Sequence, residues 1–111
     1  MFNDTSAEGV GFLDQSDQIG ERVKNYLNRD HTGVRKAILM LFLSDEKTFT
    51  TEDVFTSLEG NFDISYRGIS AMVGLMNTRL GILSVDVTGE HNVYCLKDSH
   101  KDLLESILGN Y

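Results

Sequence analysis

Residues 65–96 read SYRGISAMVGLMNTRLGILSVDVTGEHNVYCL, and the pattern of this segment indicates the fold class. Its first half carries four apolar side chains at spacings of four, three and four residues, which stacks them on one face of a helix. They are Ile69, Val73, Met76 and Leu80. Ser65 precedes them as a candidate N-cap, and Gly81 follows where a left-handed residue ends many helices. The sequence therefore predicts a helix over about residues 65–80.

Two short segments that favour β-structure come directly after this helix. They are residues 82–87, ILSVDV, and residues 92–96, NVYCL, and the connection TGEH between them contains a glycine. Alternating segments joined in this way predict a β-hairpin. A helix followed at once by a hairpin is the second half of a winged helix. In that fold the helix usually enters a DNA groove, and the hairpin, called the wing, meets the flanking backbone.

The preceding part of the chain supplies the other elements of such a fold. Apolar spacing predicts a helix over about residues 17–28 and a broadly apolar helix over residues 34–43, which suits the centre of a core. Residues 47–49 fit a short first strand. Thr50 and Asp53 resemble a capping box, which opens a further short helix.

The C-terminal part predicts one more helix. Ser99, with Asp102 three residues later, is expected to start a helix that runs through Leu108 and ends at Gly109. The predicted fold class is therefore α+β: a winged helix-turn-helix with an additional N-terminal helix and a C-terminal helix.

Length and composition favour one globular domain. With 111 residues, the chain can build a single core, and we expect residues 1–15 to form a disordered tail before a single domain over residues 16–111. No apolar run is long enough to span a bilayer, and the N-terminus lacks a secretory signal. The one cysteine, Cys95, is expected to be a small buried side chain, so a cytoplasmic location is predicted.

The charge of the chain is unusual for a protein that binds DNA. The formal net charge is −7, whereas DNA-binding modules are more often basic. The distribution is uneven, however, because residues 64–81 carry two arginines and no acid, while residues 44–63 carry six acids and one lysine. The predicted recognition helix is locally positive in an acidic protein, which would limit non-specific DNA binding.

Several motifs resemble those of known families. The segment SYRGI at residues 65–69, continued through Val73, Met76 and Leu80, resembles the recognition helix of winged-helix transcription regulators. A wider set of segments resembles an archaeal family of small winged-helix-like proteins of unknown function. These segments are GVRKA at 33–37, FTTEDV at 49–54, RLGIL at 79–83 and HNVY at 91–94, and the resemblance covers about residues 20–108. It implies the fold more than any activity.

On a helical wheel, the face opposite the apolar residues of the predicted recognition helix carries the candidate DNA contacts. Arg67 could bond bidentately to guanine, and Ala71 could touch a thymine methyl group. The full candidate set for base contact in the early turns is Tyr66, Arg67, Ser70 and Ala71, and the set for phosphate contact is Asn77, Thr78 and Arg79. Gly74 lies on the same outer side, where a residue without a side chain permits close approach of another molecule.

A second basic group surrounds the junction of the first two helices. Its members are Arg22, Lys24, Arg29, His31, Arg35 and Lys36. Arg35 and Lys36 are candidate phosphate contacts, since they begin a helix whose free amide groups also favour an anion. The favoured alternative for the whole group is a solvated surface on which its members pair with nearby acids such as Glu21 and Asp30.

The leading function is a DNA-binding transcription regulator with double-stranded DNA as its partner, and the terminal helices could join two copies through Tyr26, Leu27, Leu104 and Leu108. Packing of those helices within one domain is the alternative. The alternative function is a winged-helix module that binds proteins, because the wing has no Lys or Arg and carries Glu90. No catalytic motif, cofactor motif or metal-ligand spacing is present, so we expect no enzyme, no cofactor and no metal.

Overall fold

The computed structural model describes residues 15–44 and 48–110 of the chain. Within these residues the chain forms five α-helices and a two-stranded antiparallel hairpin, which confirms the predicted winged-helix-like α+β class. The elements are α1 (Gln15–Asn28), α2 (Val34–Ser44), α3 (Thr51–Leu58), α4 (Tyr66–Thr78), β1 (Leu83–Asp86), β2 (Val93–Leu96) and α5 (Lys101–Leu108). The tail predicted for residues 1–15 lies outside the described residues, apart from Gln15, which already belongs to α1.

Helix α2 is the centre of the core, as its broad apolar surface predicts. It packs against α1, α3, α5 and β2. Because it has neighbours on several sides, three of its side chains, Ile38, Leu39 and Phe42, are almost completely buried. Burying each of them contributes about 1.5–3 kcal/mol relative to exposure.

Helix α4 begins as predicted and ends slightly earlier than predicted. The Ser65 hydroxyl accepts a hydrogen bond of 3.0 Å from the Gly68 amide, which confirms the N-cap. The last helical residue is Thr78, because the amides of Arg79 and Leu80 both donate to the Leu75 carbonyl and close the helix. Gly81 then has φ +69°, the left-handed conformation that glycine adopts without strain, and the chain turns into the hairpin.

The hairpin is shorter than predicted, with Leu83 opposite Leu96 and Asp86 opposite Val93. Tyr94 faces the core, so Cys95 faces the other side of the hairpin, where its Sγ lies 3.1 Å from the Ser84 hydroxyl. Cys95 is half-buried, and the expectation that it is buried is wrong. The physical reason is the two-residue period of a strand, which gives the core face to its neighbour.

The predicted first strand is reduced to a single bridge within the part of the chain described here. Phe49 and Tyr94 exchange two backbone hydrogen bonds of 2.8 Å, and the Phe49 ring meets Phe42 edge-on at 5.3 Å. The capping box that follows is confirmed, because Thr50 and Asp53 bond to each other's backbone amides at 2.9 and 3.1 Å.

The start of the C-terminal helix differs from the prediction. Ser99 lies inside a 3₁₀ turn, Asp98–His100, and α5 begins at Lys101 with no side-chain cap. The expected N-cap at Ser99 is wrong because the His100 amide donates to the Lys97 carbonyl, which starts the turn before the serine. Gly109 ends the helix, as expected.

The terminal helices α1 and α5 pack against each other and close the core. Leu27, Leu104 and Leu108, three of the side chains suggested for joining two copies, are 5%, 0% and 8% exposed. The observed arrangement is therefore the alternative, packing within one domain. A homodimer through these leucines would require the core to open.

Candidate nucleic-acid interface

Helix α4 has one buried face and one open face. Ile69, Val73 and Met76 are completely buried against the body of the domain. The opposite face presents Arg67 and Ala71 to solvent, with Thr78 at its C-terminal end. Among the described residues, this helix carries no acidic side chain, so its open face is neutral or positive throughout. The base-contact candidates of this face are therefore accessible.

Tyr66 and Ser70 lie toward the wing side of α4. Tyr66 is 52% exposed, and its ring stacks edge-on against Phe55 of α3 at 6.0 Å. Both residues line a shallow groove of about 340 Å³ that also contains Glu52, Glu90 and His91. The two carboxylates make this groove negative, so they would repel the phosphates of DNA. Contact with DNA by Tyr66 and Ser70 would have to occur beside this negative charge.

The wing turn is held by its own side chains. Asp86 accepts hydrogen bonds from the Thr88 hydroxyl at 2.7 Å and from the Thr88 amide at 3.0 Å. These two bonds, first the hydroxyl and then the amide, lower the pKa of Asp86. The wing is therefore an ordered acidic turn, and the described residues 87–92 at its tip contribute no Lys or Arg.

The two glycines of α4 have different explanations. A Cβ on Gly68 would lie 3.2 Å from the Ser65 hydroxyl, so glycine makes room for the N-cap. A Cβ on Gly74 would meet no atom within 4 Å. The fold itself gives no reason for a glycine at position 74, which costs about 1 kcal/mol relative to alanine in a helix.

The phosphate candidates at the end of α4 differ in accessibility. Asn77 is half-buried, whereas Thr78 and Arg79 are exposed. The Thr78 hydroxyl donates to the Gly74 carbonyl at 2.9 Å, so its oxygen remains only as an acceptor. Arg79 is consequently the strongest phosphate candidate of the three.

Arg79 lies in a groove of about 670 Å³ between α1, the start of α2 and the end of α4. We call it the arginine groove. It brings together two groups of candidates that are far apart in the sequence, Arg35 on one side and Thr78 with Arg79 on the other. Its lining consists of Arg22, Asn25, Tyr26, Arg29, Arg35, Leu75, Thr78, Arg79 and Leu80. Lys36 and Arg67 do not line it. Arg67 lies about 18 Å from Arg79 along the helix axis.

Arg22 and Arg29 belong to the second basic group of the sequence but are not among its candidate phosphate contacts. Their spacing indicates that they share one face of a helix, since Arg22, Tyr26 and Arg29 follow the i, i+4, i+7 pattern. What the pattern could not show is that this face meets the end of α4, about fifty residues further along the chain.

Arg35 is anchored to Tyr26, and no acid among the described residues forms an ion pair with it. Its guanidinium donates to the Tyr26 carbonyl at 2.9 Å and lies 4.3 Å from the centre of the Tyr26 ring. Burial raises the pKa of the Tyr26 phenol, whose hydroxyl is buried and has no hydrogen-bond partner among the described residues.

The two acids expected to pair with the basic group, Asp30 and Glu21, have different roles. The Asp30 carboxylate accepts the backbone amides of Arg35 and Lys36 at 3.1 and 3.0 Å, and so caps α2. Glu21 does pair with a member of the basic group, because its carboxylate lies 3.8 Å from Lys24 Nζ. The expectation of side-chain pairing was wrong for Arg35 because the first-turn amides compete for the same carboxylate.

Neither a metal centre nor a membrane span is present among the residues that the structure describes. No three potential ligands of the His, Cys, Asp or Glu type converge there. His91 is exposed in the turn before β2 begins, whereas Cys95 lies within β2. No described helix combines the length and apolar character needed to cross a bilayer.

Comparison with known proteins defines the class to which this chain belongs. The model of the DUF2551 family, described as a protein of unknown function, matches residues 23–104, and the chain belongs to this family. An uncharacterized protein of the archaeon Archaeoglobus fulgidus is 40% identical over 95 residues, which covers 85% of this chain and 96% of that protein. No solved structure matches the chain significantly.

Proposed function

We propose that this protein is a DNA-binding transcription regulator that uses α4 as its recognition helix. The observation that carries the proposal is the open face of α4, which is free of acids and leads from Arg67 to the arginine groove. A helix of 13 residues is about 20 Å long and suits the major groove of B-DNA. This is a binding role, and we assign no catalytic step to it.

The side chains of this face suit different parts of a duplex. Arg67, in the first turn, carries the planar guanidinium that matches the two acceptors of a guanine edge. Ala71 offers a methyl group to thymine, and Gly74 lets a sugar-phosphate backbone approach the helix. Arg79, at the far end, is suited to a phosphate contact that sets the register.

The acidity of the molecule shapes how such binding would behave. A net charge of −7 repels DNA at long range, so few non-specific complexes would form. The positive face of α4 and the arginine groove would act at short range, where counterions are released from individual phosphates. We therefore expect affinity to fall steeply as salt is raised.

One observation favours the alternative, a winged-helix module that binds proteins. Glu52 and Glu90 flank the exposed Tyr66 ring in the groove beside the wing. An aromatic side chain between carboxylates suits a basic protein segment better than a nucleic acid.

A selection experiment separates the two functions. Fragmented genomic DNA from the source organism would be incubated at low salt with wild type, Arg67→Ala and Lys24→Ala. Lys24 is an exposed residue of α1 that lines neither groove, so its variant controls for the lost charge. We expect particular fragments to be enriched by wild type and by the Lys24 variant and to be lost with Arg67→Ala.

Two results would contradict the proposal. Enrichment that survives in Arg67→Ala would remove α4 from sequence recognition. No enrichment with any of the three proteins would favour the protein-binding module.

A further inference from the structure

We propose that the arginine groove is a binding site for a phosphate ester, distinct from the base-reading face of α4. The site stands on the charge and shape of the groove itself and does not depend on DNA recognition by Arg67. Four guanidinium groups border one depression of about 670 Å³, within the size range of small-ligand sites. In a protein of net charge −7, this local concentration of positive charge requires an explanation.

No acid neutralises these arginines among the residues that the structure describes. None of the nine lining residues is acidic, and no described carboxylate lies within 4.0 Å of the four guanidinium groups. Asp30, adjacent in the chain to Arg29, is occupied by the amides that it caps. Like charges that gather without a counter-charge repel each other, and a bound anion would remove that repulsion.

The groove also has a fixed part that could orient a ligand. Arg35 is half-buried, and its bond to the Tyr26 carbonyl together with its position over the Tyr26 ring restricts its rotation. A guanidinium has five N–H donors, so this bond leaves others for an incoming anion. Arg22, Arg29 and Arg79 are exposed around it and can close on a ligand from the rim.

The chemistry favours a phosphate ester over a single carboxylate. A phosphate group presents several acceptor oxygens and up to two charges, which suits several guanidinium forks better than one carboxylate does. Leu75, which is 38% exposed, and the buried Leu80 add an apolar surface beside the arginines. An organic group that carries the phosphate would pack there.

Such a phosphate has two possible sources, a free phosphorylated molecule or the backbone of nucleic acid. The probes are therefore inorganic pyrophosphate, adenosine 5′-monophosphate, a short DNA duplex and a polyglutamate peptide, each titrated by calorimetry. The groove variant is Arg22→Gln with Arg29→Gln, both exposed, so that Arg35 and its packing stay intact. The control is Lys24→Gln with Lys97→Gln, which removes two exposed charges outside the groove. Circular dichroism checks that both variants fold.

We expect the groove variant to bind a phosphate probe about tenfold or more weakly than wild type, because two charge-assisted contacts are lost, while the control binds nearly as wild type does. If the groove variant loses affinity for pyrophosphate or the monophosphate, the ligand of the groove is a free phosphorylated molecule. If it loses affinity for the duplex alone, the ligand is a phosphodiester of nucleic acid. Equal binding of every phosphate probe by the groove variant and the control would overturn the site, and so would groove-dependent binding of polyglutamate alone. Arg67 is unchanged in all of these proteins. A negative result for the groove therefore does not contradict DNA recognition by α4, which the selection experiment tests separately.

Discussion

At the residue scale, His100 is a half-buried side chain with one buried ring nitrogen that lacks a partner among the described residues. Its Nδ1 atom is buried without a hydrogen bond among the described residues, at the turn that leads into α5. Burial, and to a lesser degree the nearby Lys97 charge, lowers the pKa of His100 below its ordinary value. The folded protein therefore favours the neutral imidazole, whereas the unfolded chain does not.

This predicts a loss of stability on mild acidification. Below the ordinary histidine pKa of about 6.5, the unfolded chain takes up a proton at this residue before the folded protein does. The free energy of unfolding should consequently fall as the pH drops below about 6.5. Above this pH, His100 should not destabilise the fold in this way. Urea unfolding between about pH 5 and pH 8 measures the slope.

A matched pair of variants isolates the residue. His100→Gln should flatten that slope, whereas His91→Gln, exposed on the wing, should leave it as in wild type. An unchanged slope in the His100 variant would mean that other groups cause the acid sensitivity.

At the element scale, α4 combines well-defined ends with a glycine that the fold does not explain. The Ser65 cap and the left-handed Gly81 fix where the helix starts and where the chain turns. Gly74, in contrast, faces open space. Glycine lowers the stability of the helix relative to alanine, and no contact within the described fold requires a glycine here. Close approach of a ligand to the backbone is therefore the functional explanation.

Gly74→Ala should therefore have opposite effects on stability and on binding. We expect the free energy of unfolding to rise by about 0.5–1 kcal/mol, because alanine favours the helix and the added methyl group clashes with nothing. If α4 lies against DNA, affinity for selected fragments should fall. Denaturant unfolding and fluorescence anisotropy measure the two effects. A stabilised variant with unaltered DNA affinity would show that the backbone at this position does not approach the duplex.

At the scale of the whole molecule, the flanking helices belong to the same core as the winged helix. Leu104 of α5 is completely buried, and α5 packs against both α1 and α2. The terminal helices therefore stabilise the central helix and do not present a free apolar face through their leucines. The arginine groove also depends on this arrangement, since α1 supplies Arg22 and the turn directly after α1 supplies Arg29.

Leu104→Ala should destabilise the whole domain by about 2–5 kcal/mol, because it leaves a cavity in the core. Met40→Ala is the control, since Met40 is 49% exposed, and it should change stability by no more than about 0.5 kcal/mol. Thermal and urea unfolding of both variants provide the comparison. A small effect of Leu104→Ala would indicate that α5 folds as a separate appendage.

Features that depend on neighbouring residues could be predicted from the sequence. Three such features are confirmed: the helix capped by Ser65, the capping box of Thr50 and Asp53, and the hairpin after Gly81. Each depends on hydrogen bonds or backbone conformations within a few residues, so a local pattern is sufficient to specify it.

The tertiary structure alone decided which distant residues meet. It joined Arg22, Arg29 and Arg35 to Arg79 in one groove, and it turned Arg35 onto Tyr26 where the sequence suggested an acid as its partner. It also placed the leucines of the terminal helices in the core. Local periodicity shows which face of a helix is apolar, but it does not show which other helix packs against that face. Short-range sequence patterns thus specify the fold class of this protein, whereas long-range packing determines which residues line its charged groove.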